Sequence, residues 1–307
     1  MDFRLFVEPQ NGASFDDQLR AATLAEEAGF DGFFRSDHFL SIEPGDGLPG
    51  PTDAWVTLGA IALATTRLRL GTLVSSATFR HPSLTAIQVA QVDVMSGGRV
   101  DFGLGTGWFE AEHTAYGFPF PAKRFGPFQE QLEIITGLWG TPLGETFSYE
   151  GEHYRLVDAP ALPKPAQPRI PIIVGGSGAT KTPQIAARFA DEFNAFRASR
   201  EVIAERIARV RDAAAAAGRD PGAITFSLAG TTAIGATEAD IARRADLAGS
   251  TPERLRALGF AGTATEVVDT LGSLAELGID RFYFQLMRMQ DLDQIAFIGS
   301  EVLPRLR

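Results

Sequence analysis

Short strand-like runs alternate with longer helix-like segments along this sequence, and that alternation restricts the fold more than any other feature. Eight runs rich in β-branched or aromatic residues fall at residues 3–7, 32–36, 69–75, 100–104, 170–174, 192–196, 224–228 and 281–286. Helical patterns separate most of them; one begins at Thr263, has Glu266 three residues later and ends at Gly278. This order predicts a parallel sheet covered by helices, and eight strands favour a closed (β/α)8 TIM barrel over a doubly wound open sheet.

Two segments, residues 110–167 and 230–262, interrupt the regular spacing. The first contains a helical pattern over residues 124–139, a hairpin around residues 149–154 and a proline-rich stretch. Long insertions after barrel strands normally lie at the carboxyl face, where they cover the active site. We therefore expect both segments to be loops of a single domain that spans residues 1–307.

The composition excludes several classes of function. A net charge of −10, from 28 Lys and Arg against 38 Asp and Glu, provides no basic surface for nucleic acid. The absence of cysteine excludes disulfides, iron–sulfur clusters and thiolate nucleophiles. Because the sequence has neither a long apolar run nor a signal peptide, we expect a cytoplasmic protein that acts on a small molecule and has no membrane partner.

The second predicted strand ends in Arg35-Ser36-Asp37-His38-Phe39, which places a carboxylate beside an imidazole. Active sites of α/β barrels form at the carboxyl ends of strands, so both side chains are expected at the rim of a pocket. An imidazole there can bind a heterocycle or act as a general acid or base. The alternative is a capped turn, in which Asp37 accepts backbone N–H groups and His38 packs on Phe39.

The fourth predicted strand runs into a stretch with glycine at every second position, Gly103-Leu104-Gly105-Thr106-Gly107. Glycines in this spacing allow a flat ligand to approach the backbone, but the stretch lacks the spacing of a dinucleotide-binding fingerprint. Glu112 and His113 follow, without a His-x-x-x-His pair or a cluster of carboxylates, so we expect no metal site. A solvated loop pair is the alternative interpretation of these two residues.

The fifth predicted strand ends in Gly175-Gly176-Ser177-Gly178, directly before a helical stretch. Free backbone N–H groups, the helix dipole and a hydroxyl group would together form an anion pocket, with phosphate as the expected ligand. A simple tight turn would use the same residues.

Several motifs together resemble the bacterial luciferase-like (β/α)8 oxidoreductases, and the match covers most of the chain. These motifs are Ser36-Asp37-His38-Phe39, Leu70-Gly71-Thr72-Leu73-Val74, Ser96-Gly97-Gly98-Arg99-Val100 and Gly105-Thr106-Gly107-Trp108. The stretch from Gly107 to His113 is most similar to the branch that depends on the deazaflavin coenzyme F420. Other branches use reduced FMN and oxygen.

The resemblance implies a planar tricyclic ring in the barrel mouth, against a bulge with a non-prolyl cis peptide between Leu73 and Val74. It implies that Asp37 and His38 face the ring or the substrate, with His38 as the catalytic residue. It further assigns cofactor contacts to Asp37, Leu73, Val74, Thr106, Gly107, Glu112 and His113, and the cofactor phosphate to Gly175, Gly176 and Ser177.

The sequence departs from the sugar-phosphate dehydrogenases of the F420 branch at two positions. Trp108 replaces a glutamate acid, and Ile42 replaces a tryptophan, so we do not expect the same substrate. Arg35 is unusual for a barrel strand. It either recognises an anionic or carbonyl-rich substrate or pairs with the carboxylate of a neighbouring strand, and we favour the structural role.

These observations predict an oxidoreductase that uses a reduced flavin-type cofactor, with F420 favoured, for hydride transfer to or from a small organic substrate. A reduced-FMN monooxygenase acting with oxygen is the main alternative. A non-catalytic flavin-binding protein and a phosphate-ester barrel without redox function remain open. Because homologues often dimerise, a homodimer also remains open.

Overall fold

The computed structural model of the protein describes residues 1–42 and 46–307. Eight parallel strands close into a ring in the order β1-β2-β3-β5-β8-β9-β10-β12, and β12 pairs again with β1. The (β/α)8 TIM barrel expected from the alternation is confirmed. The strands are β1 (Asp2–Val7), β2 (Gly32–Arg35), β3 (Arg69–Thr72), β4 (Ser75–Ser76), β5 (Val100–Gly105), β6 (Phe147–Glu150), β7 (Arg155–Ala159), β8 (Ile172–Gly175), β9 (Glu192–Asn194), β10 (Thr225–Ile234), β11 (Phe260–Gly262) and β12 (Arg281–Leu286).

Helices connect the strands and cover the outside of the barrel. Capping boxes begin three of them in the described residues, including α10, where Thr263 and Glu266 bond as the sequence predicts. Within the same part of the chain no helix is long and apolar enough to cross a membrane. The helices are α1 (Phe15–Glu27), α2 (Ala54–Ala64), α3 (Pro82–Ser96), α4 (Glu110–Tyr116), α5 (Phe125–Gly140), α6 (Lys181–Phe189), α7 (Arg200–Ala216), α8 (Glu238–Leu247), α9 (Pro252–Leu258), α10 (Ala264–Ala275) and α11 (Leu292–Phe297).

The main hydrophobic core lies between the barrel and its helices. Strand residues alternate between the two faces, so Phe3, Leu5 and Val7 of β1 all point outwards and are completely buried. Each such side chain contributes about 1.5–3 kcal/mol when it leaves water. The outer face of the barrel therefore provides much of the stability of the fold.

Inside the barrel, an ionic layer fills the amino end and an apolar layer lies above it. The ionic layer joins arginines and carboxylates of five strands; Arg4 Nη1 lies 2.7 Å from Asp101 Oδ2. Its members are Asp2, Arg4, Arg69, Asp101, Glu192 and Arg281. The apolar layer consists of Phe6, Phe34, Ile173 and Tyr283. These two layers fill the lower barrel, so a ligand is confined to the carboxyl end.

The segment over residues 230–262 is not the loop expected from the sequence. Strand β10 continues to Ile234, α8 and α9 follow, and β11 pairs in parallel with the upper part of β10. The predicted strand ends at residue 228, whereas β10 continues through Gly230. A Cβ at Gly230 would come within 2.8 Å of the Phe260 ring, so glycine is required there by packing and does not end the strand.

The segment over residues 110–167 contains the elements expected of it. Helix α5 begins at Phe125 and ends at Gly140, close to the predicted 124–139. Strands β6 and β7 form the antiparallel hairpin, apart from the barrel sheet. The short helix α4, directly after β5, carries residues of the site described below.

Candidate active site

His38 lies directly beyond β2 at the carboxyl end of the barrel, and its ring is held by a carboxylate. Its Nδ1 lies 2.8 Å from Glu112 Oε1, and the backbone N–H of Phe39 donates to Glu112 Oε2 at 3.0 Å. Burial lowers the pKa of His38, but the hydrogen bond and charge of Glu112 raise it, and the net pKa lies above the ordinary value. Glu112 is buried, so the alternative of a solvated loop pair is wrong.

Nδ1 of His38 donates to Glu112 in this arrangement, which fixes the ring orientation. In the neutral imidazole the lone pair is then on Nε2, and in the protonated imidazole Nε2 carries a second N–H. Nε2 is therefore the atom through which His38 can accept or donate a proton.

His113 is buried beside Glu112 in α4, but it faces different partners. Its Nδ1 lies 2.7 Å from the carbonyl oxygen of Phe109, and its Nε2 lies 2.5 Å from Thr78 Oγ1. The ring packs against Phe79 and Phe120, with centroids 4.9 and 4.6 Å away. Because both ring nitrogens have partners, His113 in this structure holds the loop and presents no free nitrogen to the mouth.

Asp37 is buried and bonded to other side chains of the protein. Arg80 binds it through two hydrogen bonds of 2.5 and 3.0 Å, and Ser75 Oγ donates to Oδ2 at 2.7 Å. Arg80 also bonds to Asp53, the residue that caps α2. The capped turn considered from the sequence is therefore not formed as expected, since Asp37 accepts from side chains and joins β2 to the β3–β4 region.

Arg35 points away from the barrel mouth. It donates to Gln18 Oε1 at 3.0 Å and to Thr52 through both its hydroxyl, at 2.8 Å, and its carbonyl, at 2.9 Å. In the described residues it forms no ion pair, so the expected carboxylate partner is wrong. Burial lowers the pKa of Arg35 to about 10. The structural role favoured from the sequence agrees with this position between the sheet and α1.

The third predicted strand, residues 69–75, is interrupted at Leu73 and Val74. The peptide between them is cis, as the family resemblance implies, and the chain resumes as β4, where Ser75 pairs with Leu104. A Cβ at Gly105 would lie 2.8 Å from Val74 Cγ2. The alternating glycines thus make room for this bulge. The sequence interpretation explained the same glycines only by the approach of a ligand to the backbone.

Thr106 and Gly107 continue from β5 into the mouth and are half-buried. A Cβ at Gly107 would clash with the hydroxyl of Ser76, and its φ of 77° also favours glycine. The loop therefore lies directly against the bulge.

Gly175, Gly176 and Ser177 lie at the end of β8, two strands from the bulge. Gly176 has a φ of 145°, and Ser177 is exposed. Helix α6 begins at Lys181, so the loop is separated from the helix by three residues where the sequence suggested direct entry. In the described structure no side chain caps the start of α6, which leaves its N-terminal amides for other acceptors.

Trp108 and Phe109 surround His38, a contact that the sequence did not suggest. Their ring centroids lie 5.7 and 6.1 Å from the imidazole, and the two rings stack at 5.2 Å. The side chain of Trp108 is 61% exposed, so an aromatic surface is presented to solvent beside the candidate acid–base group.

A hydrogen-bonded arc of polar side chains lines the opposite half of the mouth. Gln285 Nε2 donates to Glu8 Oε1 at 2.6 Å, and Gln10 Nε2 donates to Oε2 at 2.8 Å. Ser36 Oγ donates to Gln10 at 2.7 Å, and Thr231 Oγ1 donates to Gln285 at 2.8 Å. Glu8 follows β1 directly, so the rule that selected Asp37 and His38 would have selected Glu8 as well.

Comparisons with known proteins identify the family. A sequence profile described as luciferase-like monooxygenase matches residues 1–266 of the 307. The F420-dependent glucose-6-phosphate dehydrogenase of Microbacterium testaceum is 40% identical over 177 residues, which cover 57% of this chain and 51% of that protein. An uncharacterised protein of Mycobacterium tuberculosis (strain H37Rv) is 35% identical over 215 residues, covering 65% and 74% of the two chains.

Solved structures share the fold. An F420-dependent secondary alcohol dehydrogenase, solved with an F420–acetone adduct, superposes with a TM-score of 0.86 at 21% identity and covers 100% of this chain and 99% of that one. Monooxygenase RslO1 from Streptomyces bottropensis has a TM-score of 0.83 at 24% identity, with 100% of both chains covered. The family profile confirms the resemblance: the chain belongs to the luciferase-like monooxygenase family, whose members are flavin- or F420-dependent oxidoreductases and monooxygenases.

Proposed function

We propose that this protein is an F420-dependent oxidoreductase that interconverts a small carbonyl compound and the corresponding alcohol, or a comparable unsaturated and saturated pair. The observation that carries the proposal is the His38–Glu112 pair at the barrel mouth, next to the Leu73–Val74 bulge. When bound, F420 supplies the hydride-transfer chemistry. The protein must then place the substrate and handle the proton that accompanies the hydride.

The residues of the mouth fit a planar cofactor. In the half of the rim between β3 and β8, no large side chain of the described residues stands at the strand ends. Strand β5 ends at Gly105, β8 ends at Gly175, and the bulge follows β3. An ideal Cβ at Gly175 would contact Asn194 alone among the described residues, at 3.6 Å or more, so its other sides are open. This half would form the floor for a flat ring, and the loop of Gly176 and Ser177 would receive the phosphate.

His38 is suited to the proton transfer. Protonated Nε2 would donate to a substrate oxygen as it becomes a hydroxyl group, and neutral Nε2 would accept that proton in the reverse direction. The raised pKa of His38 increases the protonated fraction near neutral pH and so favours the reductive direction. Glu112 keeps the ring in position through both protonation states.

The preference for F420 over FMN is supported by relatives that match this chain in sequence. Several are F420-dependent glucose-6-phosphate dehydrogenases, at 33–40% identity over roughly half of each chain. Their substrate is not proposed for this chain, because Trp108 occupies the position after Gly-Thr-Gly and lies against His38. An aromatic neighbour there favours a substrate with an apolar surface near the reacting carbon.

The proposal is tested by equilibrium binding of oxidised F420 and oxidised FMN to the purified protein. We expect F420 to bind at least a hundredfold more tightly. Reduced F420 should then be oxidised in the presence of small ketones, and this turnover should be lost in His38→Asn while F420 affinity is retained. A hundredfold preference for FMN, together with oxygen consumption, would instead support the monooxygenase alternative.

A further inference from the structure

Helices α2 and α3 lie side by side on the outside of the barrel and present apolar side chains to solvent. They approach closely at Gly59, where an ideal Cβ would lie 3.3 Å from Met95 Cε. On α2, Val56 and Leu63 are 73% and 72% exposed. Six exposed residues form one stripe along each helix, and we call them the α2–α3 face: Val56, Ala60 and Leu63 on α2, and Leu84, Ile87 and Val94 on α3.

The α2–α3 face carries no charge. Over residues 54–64 and 82–96, all of which the structure describes, no charged side chain is exposed, and the one charged residue, Asp93, is buried. On α7, by contrast, Glu205 and Arg209 lie at the outer surface and pair with each other. A helix that is apolar on its outer as well as its inner side is typical of a buried helix. The face therefore has the character of a surface that another molecule covers.

The size of the face suits the apolar core of a stable interface. Helices α2 and α3 are about 16 and 22 Å long at about 1.5 Å per residue, and packed helices lie about 8–10 Å apart, so the face measures roughly 20 by 20 Å. This area of about 400 Å² is that of the largest apolar patches on monomeric proteins, about 300–600 Å². Because a polar rim surrounds such a core, the area buried on each partner would approach the value of about 800 Å² for a stable complex.

We propose that the α2–α3 face binds a second copy of this chain in a two-fold symmetric dimer. The chain has a net charge of −10, so two copies repel each other where their charged surfaces meet, and this face lets them approach without opposing like charges. On α2 the small Ala60 lies between Val56 and Leu63 and leaves a depression, whereas α3 presents larger side chains. A two-fold axis can seat the α3 side chains of each copy in the depression of the other.

A membrane surface or a charged protein fits the face less well. Helices that lie on membranes carry Lys or Arg on their polar side and often Trp or Phe on their apolar side. Residues 54–64 and 82–96, which are fully described, contain neither Lys nor Arg, and their one aromatic residue, Trp55, is buried. A charged partner would be recognised through ion pairs, which this face cannot form.

The α2–α3 face is separate from the candidate active site, but its helices begin beside that site. Asp53 caps α2 and His81 caps α3. Arg80, next to His81, bonds to both Asp53 and Asp37. A second copy would therefore brace the two helices that anchor Asp37. Dimer formation requires neither cofactor nor substrate, so this proposal is independent of the proposed function.

Sedimentation equilibrium of the full-length protein at micromolar concentrations tests the proposal. We expect a dimer with twice the chain mass of 33.0 kDa. Leu84→Glu should weaken dimerisation by at least about a hundredfold, because a two-fold dimer would bury the new charge twice. Leu63→Lys should weaken it similarly, although this substitution brings the net charge closer to zero. The two variants thus separate the effect of the interface from that of net charge.

Leu247→Glu on α8 is the matched control, because Leu247 and Leu84 are 42% and 49% exposed. It should leave the dissociation constant of the dimer unchanged. The proposal is overturned if the wild-type protein is a monomer, or if either Leu84→Glu or Leu63→Lys dimerises as tightly as the control. A wild-type monomer that cosediments with vesicles of phosphatidylcholine and phosphatidylglycerol would assign the face to a membrane instead.

Thiol labelling keeps the proposal testable if the charged variants do not fold. The chain contains no cysteine, so Ala60→Cys introduces a single thiol within the α2–α3 face. Its reaction with a maleimide should be slow in concentrated protein and fast after dilution, whereas Leu247→Cys should react fast at both concentrations. Equally fast labelling of the two thiols in concentrated protein would overturn the proposal.

Discussion

Glu112→Gln isolates the effect of one carboxylate on the candidate acid–base group. The carboxylate accepts from His38 Nδ1 through one oxygen and from the backbone N–H of Phe39 through the other. Glutamine has a similar shape but one acceptor oxygen, so one of the two donors loses its acceptor. The lost charge-assisted hydrogen bond amounts to about 1.5–3 kcal/mol. Because the hydrogen bond and charge of Glu112 raise the pKa of His38, that pKa should fall in Glu112→Gln.

The pKa of His38 is measured by following its ring protons in NMR spectra across pH 4 to 9. The sign of the linked stability follows from the raised pKa in the folded protein. The protonated pair stabilises the fold fully below the unfolded-state pKa of about 6.5, and this contribution is lost as the pH rises through the folded-state pKa. In Glu112→Gln the additional stability at low pH should disappear.

Glu110→Gln provides the control, because Glu110 is exposed in the same turn of α4. It should leave the titration of His38 and the pH dependence of unfolding unchanged. The reasoning is refuted if His38 titrates alike in the wild-type protein and in Glu112→Gln, or if Glu110→Gln changes its pKa as much.

Three further predictions concern the mouth. His38→Asn should lower turnover with reduced F420 by about 10²–10⁴-fold and leave F420 affinity unchanged; unchanged turnover would exclude its acid–base role. Gly105→Ala should destabilise the protein by about 1–3 kcal/mol in denaturant unfolding, because its Cβ would lie 2.8 Å from Val74 Cγ2, and an unaltered midpoint would contradict this. Ser177→Ala should weaken F420 binding by about 10- to 150-fold but not the binding of its dephosphorylated analogue; equal effects on both would place the phosphate elsewhere.

The barrel was predictable because its signals are local. Alternating residues in β1 and a capping box at Thr263 identify an element from a few neighbouring positions. Element boundaries that depend on packing between residues far apart in the sequence could not be predicted. The predicted strand ends at residue 228, whereas β10 continues through Gly230, where the Phe260 ring, thirty residues further along the chain, leaves no room for a Cβ. No local pattern contains that contact.

In the candidate site, too, the sequence identifies single residues but not the contacts between residues far apart in the chain. His38 was identified from its position after a strand, but its partner Glu112 lies 74 residues away. In the sequence Glu112 and His113 are equivalent candidates. The phase of α4 separates them, since it turns Glu112 towards His38 and His113 towards Thr78. Glu8 was missed although the position after β1 would have indicated it.

For protein engineering, the ionic layer at the amino end of the barrel and the residues around His38 are two regions that can be changed separately. The arginines and carboxylates of the ionic layer compensate one another, so replacing Arg4 alone would remove one of the two arginines that pair with the buried Asp101. Replacing the whole set together with apolar residues of similar volume need not destabilise the fold. The Phe34 and Tyr283 layer separates these charges from the rim. The lower barrel can therefore be redesigned for heat resistance as one unit, while the residues around His38 are varied separately for selectivity.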